Sequence, residues 1–352
     1  MQGDVFCEVL AGLDPREGIA GGLCEKGSER NHIMCGLNGI IKDHEIDAPE
    51  LAVDGQRTPY NAEHFESIGV LMVWEKYDGI LNWGEGQCLA IVDDGCDLAT
   101  PEWQTSHPWG PKVVASWNVY EENDDPTPVP PGYHGTSVGY PSSLCYQGLC
   151  GIAYRNRTAQ IRSCTIVHLP QIEGEDVTLA KALDWVAEHA EEYHITAVNL
   201  SALDDKEHTE PVPTVLDEPL RRLREMNIWV SAPCGNNQHT AGISWPACQE
   251  YCYGIGSVFQ EKVYNDRYHN TDLLVHAQFT SSSNAYAVAC YMIWREAVEK
   301  SGFDWKKYGE TMPEAAMAMF KLTGREYVDE VTGLAFKALD LATVIDFVLG
   351  KM

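Results

Sequence analysis

Short apolar runs alternate with amphipathic helical stretches from about residue 71 onward, and this alternation constrains the fold more than any other feature of the chain. Strands that alternate with helices are typical of βαβ crossovers, which build a mainly parallel sheet with helices on both faces. We therefore predict a three-layer, doubly wound α/β fold. The runs that predict buried strands are Cys88–Val92, Lys112–Ser116, Ile161–Val167, Thr196–Leu200, Ile228–Ala232 and Tyr253–Val258.

The helical stretches between and after these runs have apolar residues at the spacing of one helix face. They are Val177–His189, Thr214–Met226 and Asn284–Lys300. Open sheets of this type bind ligands at the carboxyl ends of their strands. The residues that directly follow the apolar runs are therefore the first candidates for chemistry.

The charge of the chain limits its partners. The 352 residues include 25 Lys and Arg against 52 Asp and Glu, which gives a formal charge of −27. Nucleic acids and anionic membranes both require a basic face, so we expect neither as a partner. A hydrophobic content of 44% with 10 Trp and 16 Tyr indicates a globular chain rather than an acidic disordered one. We find no apolar run long enough to span a membrane.

Residues 1–70 have weak periodicity and many turn residues, and we assign them to an N-terminal extension before a domain at 71–352. A pro-segment, a lid and a loosely packed extension are all compatible with this region. We recognise no signal peptide, which makes a cytoplasmic location the default expectation. The 12 cysteines are then expected to be reduced, buried thiols, and their spacing does not predict a structural metal site.

Reactive side chains occur where the predicted strands end or helices begin. Asp93 ends the first clear strand, His134 follows a Pro-rich loop, and Asn236 follows the strand at 228–232. A run of three serines, 281–283, precedes the helix that starts at Asn284. A serine becomes a nucleophile when an imidazole takes its proton and a carboxylate orients that imidazole. An Asn amide is a suitable donor to the oxyanion that forms.

These segments resemble the subtilisin-like serine proteases, in which the triad follows the order Asp, His, Ser. The resemblance rests on AIVDDGCD around Asp93, HGTSV at His134 and SAPCGN before Asn237, and it covers about residues 71–349. The Asp motif is most similar to the kexin and proprotein-convertase branch. The resemblance implies that Asp93 orients the imidazole, that His134 is the general base and acid, and that Asn236 stabilises the oxyanion.

The resemblance assigns the nucleophile through an alignment. Setting Val288-Ala289 on the Val-Ala pair of the family places Ser282 at the nucleophile, with Ser281 and Ser283 as lesser alternatives. The local sequence Thr-Ser-Ser-Ser-Asn replaces the usual Gly-Thr-Ser-Met-Ala. Pro141 blocks the long helix that usually follows the His motif, so that helix must be shorter or displaced here.

The resemblance also implies a substrate site. Ser201, Ala202 and Leu203 follow the strand that lines the cleft, where an extended peptide is expected to bind as an added strand. Asp204 and Asp205 either form an exposed loop or attract a basic side chain of a cationic substrate. No cofactor is implied. Calcium is common in the family, but no loop here has a recognisable ligand spacing.

The sequence is thus interpreted as a serine endopeptidase whose partner is a peptide or protein substrate. One alternative is a catalytically impaired protein of the same fold that binds peptides, because the residues around the serines are altered. Another is a dedicated precursor-processing protease or peptide ligase. An unrelated acyl hydrolase is less favoured, since no G-x-S-x-G motif surrounds the candidate serines.

Overall fold

The computed structural model describes residues 57–350. Their strands are β1 (Thr58–Pro59), β2 (Cys88–Asp93), β3 (Ser106–His107), β4 (Gly110–Pro111), β5 (Val113–Asn118), β6 (Cys145–Tyr146), β7 (Leu149–Cys150), β8 (Arg157–Arg162), β9 (Ile195–Leu200), β10 (Trp229–Pro233), β11 (Tyr253–Phe259), β12 (Lys262–Tyr264), β13 (Leu273–His276), β14 (Arg325–Val328) and β15 (Ala335–Ala338). Their α-helices are α1 (Ala62–Ile68), α2 (Val70–Lys76), α3 (His134–Val138), α4 (Tyr140–Ser143), α5 (Glu175–Tyr193), α6 (Asp217–Glu225), α7 (Thr280–Ser301), α8 (Met312–Thr323) and α9 (Leu341–Leu349), with a 3₁₀ turn at Trp305–Lys307.

A largely parallel sheet forms the centre of the fold. Its strand order is β14-β15-β13-β11-β10-β9-β2-β8-β5, and β12 adds an antiparallel hairpin to β11. The pairs from β15 to β5 along this order are parallel, and only β14 runs antiparallel to its neighbour β15. The prediction of a doubly wound α/β fold with a mainly parallel sheet is confirmed.

Helices cover both faces of this sheet because successive strand residues point to opposite sides. Ile91 of β2 packs into one apolar layer, which contains residues of α7, α8 and α9. Its neighbours Ala90 and Val92 pack into the other layer, together with Leu183 of α5 and Leu220 of α6. Strands buried on both faces explain the continuous apolar runs in the sequence.

One predicted strand has the wrong bounds. The run Ile161–Val167 suggested a strand there, but β8 begins at Arg157 and ends at Arg162. Its buried Thr158 and Gln160 made the segment look unlike a core strand. The Gln160 amide donates to Thr158 Oγ1 at 3.3 Å, so these polar groups are satisfied inside the sheet.

The predicted domain boundary after residue 70 falls after the first residue of α2, and both α1 and α2 contribute residues to the larger apolar layer. Phe65 and Ile68 of α1 belong to the core, and Thr58 of β1 pairs in parallel with Leu149 of β7. Residues 57–70 therefore pack against the core of the segment predicted as the domain at 71–352. The roles predicted for residues 1–56 lie outside the described residues.

Most cysteines of the described segment are buried in the core. Between residues 57 and 350, nine cysteines are present as free thiols, and eight of these are buried. No helix in this segment has the length and apolar character needed to cross a membrane.

The helix α7 is the element that orders the carboxyl end of the sheet. It has 22 residues, most of them buried, and it lies against β9, β10 and β13. Asn284 fixes its first turns, because its Nδ2 donates to Asn199 Oδ1 at 3.0 Å and to the Ser231 carbonyl at 3.1 Å. The Ser231 hydroxyl in turn donates to Asn284 Oδ1 at 2.6 Å. The N-terminus of α7 is thereby held beside the ends of two neighbouring strands.

Candidate active site

Three side chains from distant parts of the chain meet at the carboxyl end of β2. Asp93 is the last residue of β2, His134 is the first residue of α3, and Ser281 is the second residue of α7. His134 Nδ1 lies 3.0 Å from each carboxylate oxygen of Asp93. On the other side of the ring, His134 Nε2 lies 3.2 Å from Ser281 Oγ. All three side chains are buried.

The hydrogen positions follow from the chemistry of the partners. An ionised carboxylate only accepts hydrogen bonds, so Nδ1 carries the hydrogen in the neutral ring. Nε2 is then the acceptor and is positioned to take the hydroxyl hydrogen of Ser281. The arrangement is that of a nucleophile, a base and an orienting carboxylate.

The serine beside the imidazole is Ser281 and not the predicted Ser282. Consecutive residues of an α-helix are rotated by about 100°, so only one member of a serine run can point at a given group. Ser282 is completely buried, and the Ser283 hydroxyl donates to the Val275 carbonyl of β13 at 3.3 Å. Setting Ala287-Val288 rather than Val288-Ala289 on the Val-Ala pair of the family would place Ser281 at the nucleophile.

A second carboxylate positions the backbone of His134. Asp94 Oδ2 accepts from the His134 N–H at 3.2 Å, and Oδ1 accepts from the Gly135 N–H at 2.7 Å. Gly135 packs so closely that a Cβ there would lie 2.2 Å from the Gly95 carbonyl oxygen. Burial and the neighbouring Asp93 charge raise the pKa of Asp94 to about 7.

The helix after His134 is short, as Pro141 predicted. α3 ends at Val138, and Pro141 lies in the first turn of the separate four-residue helix α4. A proline is tolerated in a first turn because the N–H groups there have no partner within the helix. The backbone leaves the helical conformation at Leu144, where ψ is 135°.

The ion pair stabilises the charged forms of both partners. Burial by itself would lower the pKa of His134, but the charge of Asp93 and its hydrogen bond raise it above 6.5. Burial would likewise raise the pKa of Asp93, but the interaction with His134 holds it below its usual 3.8. A hydrogen bond from the Ser201 hydroxyl acts on Asp93 in the same direction.

Asn236 follows β10 and is linked to the residue before Ser281. Its Oδ1 accepts from the Thr280 backbone N–H at 2.9 Å and from Thr280 Oγ1 at 2.8 Å. These two donors fix the amide with Oδ1 toward Thr280, so Nδ2 is on the opposite side of the amide group. The predicted oxyanion residue therefore lies beside the N-terminus of α7, where backbone N–H groups lack intrahelical acceptors.

The predicted substrate segment continues from β9 past the triad. Ser201, Ala202 and Leu203 are buried. Leu203 pairs with the loop before α5: its N–H donates to the Val167 carbonyl at 2.8 Å, and its carbonyl accepts from the Leu169 N–H at 2.7 Å. Both main-chain groups of Leu203 are therefore bonded to the chain itself.

The two acidic residues of this segment have different surroundings. The side chain of Asp204 has no exposed surface, and its carboxylate accepts from the Trp245 N–H at 3.0 Å and lies 2.8 Å from His208 Nε2. This burial conflicts with the prediction that Asp204 attracts a basic substrate. Asp205 is partly exposed, but its Oδ2 lies 2.6 Å from His168 Nδ1 and its Oδ1 accepts from Asn237 Nδ2 at 2.9 Å.

His168 lies near the site but is not among the residues that the sequence predicted for it. Its charge opposes protonation of His134 and so offsets a small part of the rise in the pKa of that imidazole. A tight contact with Asp205 holds it at the loop beside Leu203. No local sequence pattern predicted that His168 would lie close to His134. Among residues 57–350, no cluster of three or more His, Cys, Asp or Glu side chains is arranged to hold a metal ion.

The fold and the order of Asp93, His134 and Ser281 along the chain are similar to those of subtilisin-like proteases. Solved structures support the fold. MycP1 from Mycobacterium smegmatis is 13% identical with a TM-score of 0.59, and the similarity covers 80% of this chain and 83% of that one. A cold-adapted subtilisin-like serine proteinase is 15% identical with a TM-score of 0.53, over 73% of this chain and 89% of that one.

Sequence comparison gives a closer relationship over a shorter stretch. A subtilisin-like protease of Coccidioides posadasii (strain C735) is 28% identical over 171 residues, which is 47% of this chain. The match spans 39% of the length of that relative. No protein-family profile matches the chain. The chain is a homologue of the subtilisin-like serine proteases.

Proposed function

We propose that the chain is a serine endopeptidase that uses Asp93, His134 and Ser281. The observation that carries this proposal is the chain of contacts from Asp93 through His134 to Ser281 Oγ, at 3.0 and 3.2 Å. The same three residue types occur elsewhere in the molecule, but the function requires them in this order and within hydrogen-bond reach.

The reaction would proceed through an acyl-enzyme. Ser281 Oγ attacks the peptide carbonyl carbon while its proton moves to His134 Nε2. The imidazolium returns that proton to the leaving amine as the C–N bond breaks. Water then attacks the ester carbonyl with His134 again as base, and Ser281 is released. Asp93 keeps the hydrogen on Nδ1 and stabilises the imidazolium in both steps.

Charge on the substrate oxygen would be stabilised by Asn236 Nδ2 and by a backbone N–H near Ser281. The two hydrogen bonds from Thr280 to Asn236 Oδ1 support this role, because they fix the amide before substrate arrives. Donors that are already oriented need no reorganisation in the transition state.

A cationic peptide is the substrate class that the overall charge favours. The formal charge of −27 attracts basic peptides at long range. Asp205 is the partly exposed carboxylate of the predicted substrate segment, and a basic side chain would compete for it with His168 and Asn237. The resemblance to the kexin branch is limited to the sequence around Asp93.

A fluorophosphonate probe tests the proposed chemistry. We expect one covalent adduct per chain, located on Ser281 by peptide mapping, and cleavage of internal bonds in a library of basic peptides. Denatured protein is the control and should not react. A folded protein that forms no adduct would instead support the alternative of a catalytically impaired peptide-binding protein. Product masses from reactions with added amines separate hydrolysis from peptide ligation.

The pH dependence of the rate is a second test. His134 must be neutral to accept the Ser281 proton, and its pKa is raised above 6.5 in the folded protein. The rate is therefore expected to be high above this pKa and to fall as the pH decreases through it. Initial rates of peptide cleavage between pH 5 and 9 should have their acidic midpoint above 6.5. A midpoint well below 6.5 would contradict the role of Asp93 in stabilising the imidazolium.

A further inference from the structure

Asp266 is a fully buried carboxylate directly behind the loop that carries Asn236. It follows β12 in the sequence and lies 30 positions after Asn236, so no local pattern connects the two. The proposed mechanism assigns it no function. Carboxylates are seldom fully buried without a partner, which makes its contacts informative.

The contacts of Asp266 reach both sides of Asn236. Its backbone N–H donates to the Gly235 carbonyl at 3.2 Å, which fixes the residue before Asn236. Its Oδ1 accepts from the His239 N–H at 2.9 Å, and the Asn237 N–H also interacts with the carboxylate. The loop from 235 to 239 is thus attached to one residue, through the Asp266 backbone at Gly235 and through the Asp266 carboxylate at residues 237 and 239.

Gly235 allows this close approach. Its φ is +114°, which L side chains rarely adopt, and a Cβ at this position would lie 2.2 Å from Asp266 Oδ2. The Ser244 hydroxyl would be 2.8 Å from the same Cβ. Among the residues described, no hydrogen bond of normal geometry reaches Oδ2, which therefore packs against the glycine backbone.

We propose that Asp266 is a positioning residue that holds the backbone on both sides of Asn236, so that the Asn236 amide is in place when charge develops on the substrate oxygen. This inference rests on the proposed function. Asp266 touches no reacting atom in this scheme and acts through Asn236 alone.

The charge state of Asp266 should affect how the rate depends on pH. Burial raises its pKa to about 6, while hydrogen bonds from the His239 and Asn237 N–H groups and the His239 charge oppose this rise. Asp205 raises it further. The other charged groups around these residues are Glu207, 3.5 Å from His239, and His168, which is paired with Asp205. Arg267, the next residue, is paired with Asp329.

Protonation of Asp266 below about pH 6 should weaken the hydrogen bonds that its side chain accepts from the loop, because a neutral acid is a poorer acceptor than a carboxylate. The rate should then depend on an additional proton at low pH. Asp94 and His134 also titrate, but they do so in both wild type and an Asp266 variant. The difference in slope of log kcat against pH between wild type and the variant therefore measures the contribution of Asp266.

The direct test is a double-mutant cycle with Asn236→Ala and Asp266→Asn. Asp266→Asn alone is expected to lower kcat by about 10- to 100-fold with little change in KM, the size of effect caused by a misplaced catalytic group. In the Asn236→Ala background it should have almost no further effect, because the residue it positions is gone. Below pH 6 the slope of log kcat against pH should be shallower in Asp266→Asn than in wild type, by about one proton.

Two results would overturn the proposal: a full additional loss from Asp266→Asn in the Asn236→Ala background, or equal slopes in both proteins. Circular dichroism and thermal unfolding establish that each variant is folded. If Asp266→Asn does not fold, Asp266→Glu replaces it, and it should keep the steep slope while lowering kcat. Absence of a fluorophosphonate adduct in wild type would contradict the proposed function itself. A normal adduct, together with losses in kcat that add fully in the double mutant, would contradict only the role of Asp266.

Discussion

Ser281→Ala is expected to abolish fluorophosphonate labelling and to lower kcat for peptide cleavage by about 10⁶-fold, the loss found when a triad serine is removed. Ser281 Oγ lies 3.2 Å from His134 Nε2 and is the group from which the imidazole would take a proton. The neighbouring Ser282 offers a matched control. Ser282→Ala removes an equally small hydroxyl from the same helical turn and is expected to leave labelling on Ser281 intact.

Intact mass and peptide mapping after labelling distinguish the two variants. The prediction depends on the helical register, because a shift of one residue turns a side chain by about 100° around the helix axis. Labelling that persists in Ser281→Ala and disappears in Ser282→Ala would restore the assignment made from the sequence. Thermal unfolding should differ little among the three proteins, so that lost labelling is not due to lost structure.

Asp93→Asn is expected to lower kcat by about 10⁴-fold while the fold is retained, as in other triads. The carboxylate accepts from Nδ1 and so leaves Nε2 free of hydrogen. An amide in its place can donate to Nδ1, which favours the tautomer with the hydrogen on Nε2, and that nitrogen can no longer accept the Ser281 proton.

The same substitution should also lower the pKa of His134, because Asp93 is what raises it against the effect of burial. Imidazole titration followed by NMR measures this shift independently of turnover. Asp97→Asn is the control, since Asp97 lies four residues further along and, within residues 57–350, its side chain accepts only from the Ala99 N–H, at 2.9 Å. An unchanged His134 titration in Asp93→Asn would contradict the assigned ion pair.

The sequence predicted those parts of the molecule that depend on local pattern. Apolar runs buried on both faces identified the β2, β9, β10 and β11 strands and hence the class of fold. Asp93 and His134 lie in short motifs whose glycines allow close packing of the backbone, as Gly135 shows. Their positions were predictable because the residues that shape them are adjacent in sequence.

Features that depend on helical register or on distant contacts were not predictable in this way. A run of three serines before an apolar helix gives no indication which hydroxyl meets an imidazole 147 positions away. The burial of Asp204 depends on the Trp245 N–H, 41 positions later. The contact of Asp266 with the Asn236 loop likewise exists only in the folded chain.

The pairing of Leu203 with the loop at 167–169 makes that loop an intramolecular competitor of any peptide that would use the same main-chain groups. A tethered competitor acts at a high effective concentration, and the apparent affinity of the peptide equals its intrinsic affinity multiplied by the fraction of molecules in which the loop is detached. A small electrophile that contacts only Ser281 meets no such competition. If the chain has the proposed function, reactivity toward small electrophiles and toward extended peptides would therefore be uncoupled, and the peptides that bind best would be those whose other contacts compensate for the displaced loop.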